Sequence, residues 1–83
     1  MLFVIFTEEG LAEARPEVLG EKAALWLNPG LKQQSDLSVF EHAGIDIHAL
    51  PYETDAANEK EVMTALAFVE KNSNDKAIFV EYL

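Results

Sequence analysis

The chain has 83 residues, 15 of them Asp or Glu against six Lys or Arg, for a formal net charge of −9 at neutral pH. Hydrophobic residues are 49% and charged ones 25%, a globular balance that excludes disordered, collagenous and coiled-coil chains; the lack of any cysteine excludes disulfides, thiolate metal sites and a cysteine nucleophile. The acidity opposes direct contact with nucleic-acid phosphates or an anionic membrane surface, and the length sets a single α/β-sized domain over residues 1–83 that buries about 63% of its unfolded surface.

Leu2–Phe6 is an unbroken β-branched and aromatic run, the pattern of a strand buried on both faces of a parallel sheet. No positive charge precedes it and Glu8-Glu9 follow at once, which is unlike a signal peptide, so a cytoplasmic protein is expected. Even with Met1 the apolar run is six residues, far short of the roughly 18–20 of a membrane helix. Leu11, Ala12 and Ala14 then suggest helix, while Pro16 and Gly20 oppose it. One or two short helical turns are expected, broken near Arg15-Pro16.

Ala23–Leu27 is the second strand, closed by the turn residues Asn28-Pro29-Gly30. A short helix is predicted from Ser35 or Asp36 to Ala43, burying Leu37 and Phe40, with Gly44 as its left-handed C′ residue. Ile45–Leu50 alternates, placing Ile45, Ile47 and Ala49 inward and Asp46 and His48 outward, as in an edge strand. Asp55 is expected to cap a long helix reaching about Lys71. Val62, Leu66 and Val69 form its buried stripe, widened by Met63 and Ala65. Asn72-Ser73-Asn74 stop it, and Ala77–Val80 make a fourth strand running into Glu81-Tyr82-Leu83.

Strands alternating with helices imply an α/β fold, a three-layer domain around a four-stranded, mostly parallel sheet. The spatial order 3-2-1-4 is preferred because it places the two short helical segments on one face and the long helix on the other. A sheet with one antiparallel edge is the alternative.

Ligands of open α/β sheets bind beyond the carboxyl ends of the strands. The segments there are Thr7-Glu8-Glu9-Gly10, Asn28-Pro29-Gly30 and Pro51-Tyr52-Glu53-Thr54-Asp55, and the fourth strand is expected to supply no loop. Two glutamates, one glycine and no base before Arg15 after the first strand are wrong for a phosphate loop, and no cofactor is expected. Glu8 or Glu9 with Glu53 and Asp55 offer one sharper arrangement, oxygen ligands for Mg²⁺ or Mn²⁺ in a phosphate-ester enzyme. The glutamate after the first strand resembles α/β nuclease and topoisomerase-primase domains, but no Asp-x-Asp pair follows any strand, so nothing of that family is carried over. The plainer expectation for these acids is the first turns of helices, where the macrodipole favours them.

His42, Asp46 and His48 read as surface residues, since one strand cannot complete a metal site. Ser35, Ser38 and Ser73 sit in no Gly-x-Ser-x-Gly elbow. Trp26, Phe3, Phe6, Phe40 and Phe79 read as packing, Phe68 as a flank of the long helix, and Tyr82-Leu83 as an edge that pairs with a second copy. The balance favours a small acidic, non-catalytic binding or regulatory module with a basic protein as partner. A homodimer through an edge strand is a further expectation, and the metal-dependent phosphate-ester enzyme is the alternative.

Overall fold

The computed structural model describes residues 1–81; Tyr82 and Leu83, and the edge contact expected of them, lie outside the described residues. In chain order the elements are β1 (Leu2–Ile5), α1 (Glu8–Glu21), β2 (Ala24–Leu27), α2 (Pro29–Gln34), α3 (Ser38–His42), β3 (Ile47–Ala49), α4 (Glu59–Asn72) and β4 (Ile78–Val80). The strands form one sheet in the order β3-β2-β1-β4, and every neighbouring pair is parallel. The α/β class and the strand order are those expected, and no edge is antiparallel.

Alternation along the strands divides the interior into two cores. Phe3, Ile5, Leu25 and Leu27 pack with Leu11 and Val18 of α1, Leu31 of α2 and Phe40 of α3. Leu2, Val4, Phe6 and Trp26 pack with Val62, Ala65 and Val69 of α4. Among the described residues, three helices thus cover one face of the sheet and α4 alone covers the other.

The structure differs from these expectations at four places along the backbone. First, α1 runs unbroken through Pro16. A proline at this position deprives the Ala12 carbonyl of its donor, but both Ala12 and Pro16 are exposed, so water hydrates the carbonyl and the ring points away from the core. Burial of Leu11 and Val18 on the inward side outweighs the local cost. Second, Pro29-Gly30 opens a helix, with Pro29 in its first turn, where the missing N–H costs nothing. α2 thus lies in a segment expected to be a turn, and the helix expected from Ser35 or Asp36 is α3, which begins only at Ser38. Asp36 accepts hydrogen bonds from the Ser38 hydroxyl and backbone N–H between them, which hold its carboxyl below the usual range.

Third, Asn58, not Asp55, caps α4, its side chain accepting from the Glu61 N–H at 3.1 Å and donating to the Glu61 carboxylate at 3.0 Å. Asp55 instead accepts from the Ala57 N–H in the preceding turn. Fourth, β3 holds only Ile47–Ala49, and Ala49 is exposed at the sheet's corner rather than inward. Gly44 does take the left-handed conformation (φ 78°). Its N–H donates to the Glu41 carbonyl and the Ile45 N–H to that of Phe40, the paired bonds of a Schellman motif.

Candidate functional site

Because all four strands are parallel, their carboxyl ends lie at one end of the molecule, and chain order reverses direction between β1 and β4. The crevice between those two strands is the place where folds of this kind hold an anionic ligand at the N-terminus of the first helix. Here that place is filled by the chain itself. Glu81, the residue after β4, turns its carboxylate onto the β1–α1 junction. One oxygen accepts from the Phe6 N–H at 2.7 Å and the Thr7 N–H at 3.0 Å, and the other accepts from the Thr7 hydroxyl at 2.5 Å.

Thr7 is also the N-cap of α1, its hydroxyl oxygen accepting from the Gly10 N–H at 3.1 Å. Gly10 completes the cradle by having no side chain: a Cβ there would stand 2.2 Å from the Glu81 carboxyl carbon. The backbone of β4 closes on the same point, with the Glu81 N–H donating to the Val4 carbonyl at 3.0 Å. The fourth strand, expected to supply no loop, is followed by the residue that occupies the crevice.

A second carboxylate fills the next helix start. Glu53, in the segment after β3, accepts from the Gly30 N–H in the first turn of α2, and a Cβ on Gly30 would come within 2.8 Å of it. Between the two capped helices lies Asn28, 4% exposed. Its amide donates to the carbonyls of Phe6 at 3.1 Å and Thr54 at 2.9 Å, and its oxygen accepts from the Thr54 N–H at 2.8 Å. One side chain thereby fastens the segments that follow β1, β2 and β3 and leaves none of its own groups unpaired.

Glu8 and Glu9 are exposed in the first turn of α1, beside the cradle but outside it. Glu53 and Asp55 are each engaged with a backbone N–H, and among the described residues no three Asp, Glu, His or Cys side chains group so as to hold a metal ion. His42 is exposed at the end of α3, and Asp46 is exposed ahead of β3. His48 lies on the face covered by α4, its ring stacked on Trp26 with centroids 4.6 Å apart. Phe68, expected as a flank, meets the same indole edge-on at 5.9 Å.

Glu81 and Asn28 are the residues that sequence reasoning passed over. A glycine three residues after a threonine cap, inside the first turn of a helix, is the signal that something approaches closely there. Which carboxylate approaches is decided by a pairing 75 residues away in sequence.

The arrangement has a clear charge pattern. The helix-opening turns after β1, β2 and β3, with Glu81, carry seven carboxylates (Glu8, Glu9, Glu53, Asp55, Glu59, Glu61 and Glu81) against Lys60. No helix among the described residues is long and apolar enough to cross a membrane. No family model, curated protein or solved structure matches this chain.

Proposed function

We propose that this chain is a non-catalytic acidic binding module whose partner is a basic protein surface, met at the carboxyl end of the sheet. One observation carries the reading: the Glu81 carboxylate occupies the switch-point position where an anionic substrate or cofactor would otherwise be held. With that position filled from within, the remaining outward carboxylates, Glu8, Glu9, Asp55 and Glu59, face solvent. Their field attracts cationic groups and speeds encounter with a basic partner.

The test is an assigned two-dimensional amide spectrum titrated with Mg²⁺, then Mn²⁺, then an oligolysine peptide. Oligolysine is expected to shift amides of residues 8–10 and 53–61, and the shifts are expected to vanish at about 1 M salt, where the screening length is about 3 Å. Both metal ions are expected to cause only weak effects spread over all acids. Localised Mn²⁺ broadening at Thr7–Gly10 and Tyr52–Asp55 would overturn the reading in favour of the metal-dependent phosphate-ester enzyme.

A second feature supports self-association. β4 is an edge strand of three residues whose Phe79 is 46% exposed, stacked on Phe3 with centroids 5.2 Å apart. An apolar open edge of this kind favours weak pairing of two copies.

A further inference from the structure

On the α4 face the sheet is wider than its cover. Four strands spaced at about 4.8 Å are too broad for one helix about 10 Å across, and among the described residues α4 is the only helix on its face of the sheet. What it leaves open lies toward β3. There His48, Trp26 and Phe68 form an aromatic row, and beside Phe68 a groove of about 370 Å³ opens between α4 and the segment after β3.

The walls of the groove are mainly apolar, from Pro51, Tyr52, Ala65 and Phe68, with Thr54 and Thr64 between them. Tyr52 stands 74% exposed at its mouth. The rim is acidic: Glu53 and Glu61 border it, with Lys60 as the counter-charge. Asp55 and Glu59 continue the negative surface around the start of α4, next to Met63, itself 61% exposed. The volume lies low in the roughly 300–1,000 Å³ range of small-molecule pockets and is large enough to take one large side chain.

We propose that this groove receives the apolar anchor of a basic partner segment, a large aromatic or aliphatic side chain flanked by lysine or arginine. The proposal rests on the acidic-module reading and specifies where and how the partner docks. Apolar burial in the groove supplies the anchor, and the surrounding carboxylates select cationic flanks and disfavour acidic ones.

Three capped pentapeptides titrated into the whole chain, followed by amide NMR, test it: tryptophan between pairs of lysines, alanine between the same lysines, and tryptophan between pairs of serines. The lysine-flanked tryptophan peptide is expected to bind about tenfold more tightly than either control, with shifts centred on Tyr52, Thr54, Thr64 and Phe68. In Tyr52→Ser, a change at an exposed position, that preference is expected to shrink below about threefold while amides elsewhere stay in place. Equal binding of the two lysine peptides overturns the groove and leaves the acidic module standing. Failure of both lysine peptides to bind overturns the acidic module itself. Equal binding of the two tryptophan peptides overturns the basic character of the partner.

Discussion

Gly10 and Glu81 form a pair whose energetics can be separated by mutation. Within a helix, alanine is favoured over glycine by up to about 1 kcal/mol. At Gly10 the sign is expected to reverse, because the added Cβ would displace a carboxylate held by three donors, each such charge-assisted bond contributing about 1.5–3 kcal/mol when well formed. Gly10→Ala is therefore expected to destabilise by about 1–2 kcal/mol in urea unfolding. In a Glu81→Ala background the same substitution is expected to be neutral or stabilising. A loss of equal size in both backgrounds would refute the cradle. Asn28 allows a second test at this scale. Asn28→Asp keeps the shape but replaces a donor by an acceptor facing the Phe6 and Thr54 carbonyls. A loss of about 2–3 kcal/mol follows, seen as a fall in Tm of about 10–20 °C for a domain of this size.

At the scale of elements, the helices show how far local chemistry decides. α4 is amphipathic and capped; of its expected stripe Val62, Ala65 and Val69 are buried and Leu66 partly so, while Met63, expected to widen it, is 61% exposed. The αL residue Gly44 ends α3 for the same local reason. α1 is different: it contains Pro16 and Gly20, and closes on Lys22 in the left-handed region at φ 51°. A lysine there bears a steric penalty that glycine avoids. Lys22→Gly is accordingly expected to stabilise the protein by about 0.5–1 kcal/mol, readable as a higher urea midpoint with an unchanged slope. Unchanged or lower stability would show that the long Lys22 side chain contributes packing that outweighs the strain.

At the scale of the whole molecule, charge and exposed edges govern association. The net charge of −9 opposes self-association at low salt, whereas the open edge of β4 and its exposed Phe79 favour it. Added salt removes the first effect and leaves the second, so the balance shifts toward pairing as ionic strength rises. Sedimentation at millimolar protein is expected to show a weak dimer that strengthens with salt and disappears in Phe79→Lys. A dimer that dissociates with salt would instead point to an ionic interface elsewhere.

Composition, periodicity and turn chemistry were enough to read the α/β class, the four strands and the order β3-β2-β1-β4, because each apolar run needs cover on both faces and only a few arrangements provide it. They also showed that a phosphate loop was lacking after β1, since Glu8 and Glu9 stand where glycines and a base would be needed. Tertiary structure decided the rest. The continuity of α1 through Pro16 depends on which side of the helix faces water. The start of α4 at Asn58 rather than Asp55 depends on which of two competent caps the preceding segment positions. The filling of the switch-point crevice by Glu81 depends on the parallel docking of β4 against β1. Spacing along the chain encodes which face a side chain takes within its own element, because that follows from backbone geometry alone. Which distant carboxylate meets which helix terminus depends on strand pairing between residues remote in sequence, and those contacts exist only once the sheet is assembled.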